Sequence, residues 1–101
     1  MKKVAIFNQN QGFESEKFDV VYCQSSQAVN LLSHDAPDVA VIDVFMDGID
    51  GLRLIEQFPN VKFIVATNLK SNVFEFYARK LGCLAYLEKP LSIQIIEELV
   101  F

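Results

Sequence analysis

The chain has 101 residues, 51% of them hydrophobic and nine of them Phe, with a net charge of -4; that supports one domain over residues 1–101 with a single core and no need of staples. No basic cluster interrupts the acidic balance, which excludes direct binding to nucleic acid or to an anionic membrane surface. Lys2-Lys3 lead into only a short apolar stretch before Asn8, too little for a signal peptide, and no run is long enough to span a bilayer, so the protein is expected in the cytoplasm.

In chain order, Val4 to Phe7 and Phe18 to Cys23 read as strands. Residues 8 to 17 between them can reach ~33 Å when extended, enough to join two parallel strands. They are too few to carry a covering helix as well. A loop or a single turn is expected there, with Phe13 filling against the sheet. Ser26 to Ser33 reads as a helix with Ala28, Leu31 and Leu32 on one face. Val39 to Asp43 is an unbroken apolar run ending in a carboxylate, the pattern of a strand buried on both faces. Two Asp-Gly pairs, Asp47-Gly48 and Asp50-Gly51, then make a turn.

Gly51 to Phe58 is expected to be helical, with Leu52, Ile55 and Phe58 on its apolar face. A strand over Phe63 to Thr67 follows. The next helix, Asn72 to Leu81, has Val73, Tyr77 and Leu81 on one stripe, Ser71 as N-cap and Gly82 as C-terminal stop. Leu84 to Leu87 is the last strand, and Ser92 to Phe101 the last helix. Strands alternating with helices imply parallel pairing through right-handed crossovers, hence a doubly wound α/β domain. Cys23 and Cys83 show no metal-ligand spacing and read as small buried hydrophobes. His34 reads as exposed, without a catalytic partner.

Chemistry is expected at the carboxyl edge of such a sheet. Asp43 ends the third strand, Thr67 the fourth, and Lys89-Pro90 follows the fifth. A carboxylate, a hydroxyl and an ammonium at one edge suit a phosphoryl group taken onto Asp43, with Lys89 and Thr67 contacting its oxygens. A carboxylate with a reference pKa near 3.9 is ionised at neutral pH and needs no base to attack. A hydrolase is disfavoured, because no second acid or His joins the pattern.

Taken together, the Pro37-Asp38 lead-in, Asp43 with Met46, Asp50-Gly51 opening a helix, Thr67, Gly82 before Tyr86 and Lys89-Pro90 resemble the receiver domain of two-component response regulators. The resemblance implies a flavodoxin-like five-stranded sheet of order 2-1-3-4-5, here with its first crossover helix shortened or missing. It implies Asp43 as phosphoacceptor, Thr67, Asn68 and Lys89 as phosphate contacts, and Thr67 with Tyr86 as the switch pair. It also implies magnesium held by Asp43, the Phe45 backbone carbonyl and the end of the first strand. The partner would be a histidine kinase or another signalling protein.

Three departures qualify that expectation. The two acids that the family places after the first strand are Asn8 and Gln9 here, neutral amides of which Gln9 could give magnesium only a weak ligand. Metal-dependent phosphorylation is therefore expected to be impaired, with function carried by protein contacts; Asp47 could supply a replacement carboxylate. Asn68 and Phe45 crowd the approach to Asp43. With the first helix missing, the sheet face under the last helix is expected to be partly bare, making Ile95, Leu99 and Phe101 interface candidates for a second copy or a partner. Phe76, off the Val73-Tyr77-Leu81 stripe, is another. The rival reading is a small-molecule-binding module on the same fold, using the amides of Asn8, Gln9 and Asn68 without a Gly-rich phosphate loop.

Overall fold

The structure is a computed structural model describing residues 2–7, 15–46, 48–69 and 71–100. In chain order it consists of β1 (Lys2–Phe7), β2 (Phe18–Cys23), α1 (Ala28–His34), β3 (Val39–Ile42), a small hairpin of β4 (Phe45–Met46) and β5 (Ile49–Asp50), α2 (Gly51–Gln57), β6 (Lys62–Thr67), α3 (Asn72–Lys80), β7 (Ala85–Glu88) and α4 (Ile93–Val100). A 3-10 turn over Ser25–Gln27 leads into α1.

Five strands form one sheet in the order β2-β1-β3-β6-β7, every neighbouring pair parallel. With the hairpin set aside, that is the expected order 2-1-3-4-5. The central strands read as apolar runs because both of their faces are covered. On one face Ala5, Phe7, Ala40, Ile42, Phe63 and Val65 pack beneath α1, α2 and α3. On the other, Val4, Ile6, Val39, Val41, Ile64 and Ala66 pack with Ile96 of α4.

That second face is not bare. Val4, Ile6, Phe18, Val41 and Ile64 are all at most 1% exposed. Leu99, expected at an interface, packs on this cluster with Ile93 and Val100, and of the candidates on α4 only Ile95 is exposed. The apolar residues Ile93, Ile96, Leu99 and Val100 recur at helical spacing, so α4 turns its whole stripe onto the sheet. The approach to β2 is tied to the same helix, where the Ser15 hydroxyl donates to a Glu97 carboxylate oxygen at 2.7 Å. Residues 15–17 carry no helix. Asn8, Gln9, Phe13, Asp47 and Phe101, on which several expectations rest, lie outside the described residues.

One helix face differs from that expected. In α2 the expected Leu52, Ile55 and Phe58 all pack on the core, with Leu54 buried beside them. In α3 the stripe of Val73, Tyr77 and Leu81 points to solvent, and the helix meets the core through Ala78 and Phe74. Periodicity identifies an apolar stripe but not which stripe is buried. Here the contact is made by Ala78 and the half-buried Phe74, on a different side of the helix from that stripe.

The two Asp-Gly pairs do different work. Gly48 lies in the β4–β5 hairpin turn at φ +73°, the left-handed conformation a tight hairpin turn requires. Asp50 caps α2, its carboxylate accepting from the Leu52 N–H at 3.0 Å. Gly51 is needed for space, since a Cβ there would collide with the Asp43 backbone carbonyl. Its N–H donates to the Val44 carbonyl at 2.8 Å, fastening the start of α2 to the segment after β3. Gly51→Ala is therefore expected to destabilise the fold by about 1–3 kcal/mol in urea unfolding; a change within about 0.5 kcal/mol would show that the backbone here relaxes freely.

Candidate functional site

Because β3, β6 and β7 run parallel, their carboxyl ends lie on one edge. Asp43 is the first residue past β3, Thr67 the last of β6, and Lys89 the first past β7. β6 lies between the other two strands, so β3 and β7 are two strand spacings apart, ~10 Å. The Lys89 side chain spans that gap, and its Nζ lies 2.8 Å from Asp43 Oδ2. The two side chains keep 22% and 18% of their surface exposed. The Lys89 N–H donates to the Thr67 carbonyl at 3.0 Å, which holds the base of the lysine against β6, and the peptide to Pro90 is cis.

Thr67 is buried, and its hydroxyl oxygen accepts from the Leu69 N–H at 3.2 Å. The Tyr86 hydroxyl donates to the Leu69 carbonyl, also at 3.2 Å. Thr67 and Tyr86, expected to act together, are thus joined through the two backbone groups of one intervening residue. Side-chain type gave no warning of Leu69, because only its main chain takes part. Burial, then the carboxylates of Glu75 and Asp43 and the Cys83 thiol, push the Tyr86 hydroxyl above the ordinary tyrosine value.

Around this centre, Phe45 extends into solvent at the hairpin and meets Phe74 of α3 edge to face, with ring centroids 5.6 Å apart at 86°. That contact joins the segment after Asp43 to α3. No sequence pattern revealed it, since the two residues lie on separate elements. Asn68 is exposed just past β6. Phe76, on the outer side of α3, is 63% exposed and so is not part of the core edge. Burial pushes the Cys23 and Cys83 thiols up, which disfavours the reactive thiolate at neutral pH. His34 is exposed, its Nδ1 3.1 Å from the Asn30 carbonyl oxygen.

A hard divalent cation wants several anionic oxygens. Among the described residues no three His, Cys, Asp or Glu side chains stand together, and the Asp43 carboxylate faces an ammonium. Asn8 and Gln9 are neutral by composition. Without a contribution from outside the described residues, this donor set does not fit magnesium. Among the described residues no helix is long and apolar enough to cross a membrane.

Residues 2–101 match the response regulator receiver domain family. Among curated relatives, the uncharacterized transcriptional regulatory protein YesN of Bacillus subtilis is 35% identical over 74 residues, covering 69% of this chain and 20% of that protein. The regulatory protein VanRc of Enterococcus gallinarum is 28% identical over 92 residues, 88% of this chain and 38% of that one. The chain therefore spans well under half the length of these relatives. Among solved structures, the receiver domain of the Francisella response regulator 1452 is 26% identical, with a TM-score of 0.81 over 99% of this chain and 94% of that one. A Burkholderia pseudomallei response regulator with a phosphorylated aspartic acid, calcium ion and citrate aligns with a TM-score of 0.83 at 21% identity, over 100% of this chain and 67% of that one.

The geometry around Tyr86 makes alkaline behaviour testable. A folded-state pKa raised above the unfolded value of 10.0 contributes stability that is present in full below that value and is lost as pH climbs through the folded one. Absorbance titration is expected to show a tyrosinate step above pH 10 that Tyr86→Phe removes and Asp43→Asn moves downward. If Asp43→Asn leaves the step in place, the Asp43 charge is not felt at Tyr86.

Proposed function

Since the chain belongs to the response regulator receiver domain family, we propose that it serves two-component signalling with Asp43 as its nominal phosphoacceptor and with a cation site too weak for efficient magnesium-dependent phosphorylation. The observation that carries this reading is the 2.8 Å pairing of Lys89 with Asp43 at the common edge of three strands, beside the buried Thr67 hydroxyl. An Asp43 carboxylate oxygen would attack the phosphorus of an activated phosphodonor, the bond from phosphorus to its leaving group breaking in line. Lys89 would then exchange a carboxylate for phosphate oxygens, and Thr67 would turn its hydroxyl from Leu69 towards them.

Asn68 lies beside this path, and Phe45 would offer its backbone carbonyl to any cation present. Tyr86 would follow Thr67, because both are tied to Leu69. The weak point is charge. Asn8 and Gln9 stand where the family resemblance calls for acids, so a dication would lack the countercharge that offsets its dehydration. The domain would then work chiefly through protein contacts, with a histidine kinase or another signalling protein, in the cytoplasm, as a switch and not as a catalyst. The family assignment does not favour the small-molecule module.

Intact mass spectrometry after incubation with magnesium and a small acyl phosphate tests both halves of this proposal. Wild type is expected to gain a phosphoryl group on the order of 100-fold more slowly than the Asn8→Asp/Gln9→Asp variant. Asp43→Ala is expected to abolish the gain in either background. Equal rates for wild type and the acidic variant would reject the impairment, and labelling that survives Asp43→Ala would reject the phosphoacceptor.

A further inference from the structure

The helix α4 has little local reason to be a helix. Ile93, Ile95, Ile96 and Val100 are β-branched, and such residues lose side-chain freedom in a helix. Its first turn has no acidic residue and its last turn no basic one; instead Glu97 and Glu98 put negative charge at the end where the helix dipole is already negative. Ser92, the residue before it, turns its hydroxyl to the Gln94 side-chain oxygen at 3.4 Å and not to a backbone N–H. The contrast is α3, capped by Ser71, with Glu75 in its first turn and Arg79 and Lys80 in its last.

Docking therefore holds α4 in shape. Within the helix only Ile96 is fully buried, while Ile93, Leu99 and Val100 pack in part on the sheet. The Ser15 hydroxyl adds a tie from the other end of the chain, donating to Glu97 at 2.7 Å. An eight-residue helix released from such contacts does not persist in water. Its release returns the conformational freedom of the whole segment, which offsets the loss of one full and three partial burials. The rest of the fold has independent support, since β3 stays paired with β1 and β6 and the opposite face stays packed under α1, α2 and α3. We infer that α4 is a detachable strap, which undocks and unfolds as one unit while the sheet remains folded, baring the face of Val4, Ile6, Val41 and Ile64. The inference rests on no step at Asp43.

Hydrogen exchange followed by NMR on the 101-residue chain at neutral pH tests it. After correction for intrinsic rates, the amides of α4 are expected to share one opening equilibrium and to exchange at least about tenfold faster than those of β3 and β6. Their rates are expected to rise less steeply with sub-denaturing urea, because opening one helix exposes less surface than unfolding the domain. Ser15→Ala, which removes the tie to Glu97, is expected to speed α4 exchange about tenfold. Glu98→Lys, at an exposed position, is expected to slow it about two- to fivefold by reversing the charge at the helix end. Amides of α4 that exchange no faster than those of β3 and β6, equal urea slopes for the two groups, or α4 rates unmoved by both substitutions would each overturn the proposal.

Discussion

The ion pair between Lys89 and Asp43 depends on where three strands end. β3, β6 and β7 are parallel neighbours in that order, so their carboxyl ends share an edge and the lysine after β7 reaches across the end of β6 to the aspartate after β3. A slip of one residue in either register would turn the affected side chains to the opposite face and break the pair. What holds the registers is burial on both sides of the sheet, where Val41, Ile64 and Val65 are completely enclosed. The apolar core is therefore what sets the geometry of the charged site.

Among the described residues, α1, α2 and α3 pack on one face of the sheet and α4 on the other. α3 docks through Ala78 and the half-buried Phe74, and Val73, Phe76 and Tyr77 are left to solvent. Its first turn nonetheless lies close to the chemistry. Phe74 meets Phe45, two residues past Asp43, and Ser71 caps the helix just beyond the Leu69 hub that ties Thr67 to Tyr86. The Phe45–Phe74 contact thus links the segment after Asp43 to the start of α3.

Charge at this edge is partly balanced within the protein itself. An ammonium 2.8 Å from a carboxylate satisfies it locally without a metal, and Asn8 and Gln9 add no negative charge by composition. A site organised around an ammonium can still receive phosphate oxygens, because Lys89 carries the same charge to either partner.

The amino-acid sequence by itself determined the alternation of strands and helices, the parallel sheet and the edge at which Asp43, Thr67 and Lys89 gather, because buried parallel strands leave unbroken apolar runs and the residues that end them are read directly. That positions 8 and 9 hold the neutral amides Asn8 and Gln9 is likewise a matter of residue type alone. Only the tertiary structure decided that Val73, Phe76 and Tyr77 face outward, that the face under α4 is filled, and that Leu69 joins Thr67 to Tyr86. A period of 3.6 residues marks an apolar stripe without saying what lies opposite it, and a backbone group that accepts or donates a hydrogen bond has no signature in the residue that carries it. The Phe45–Phe74 contact was hidden for the same reason, as a meeting of two elements that the chain order does not place side by side.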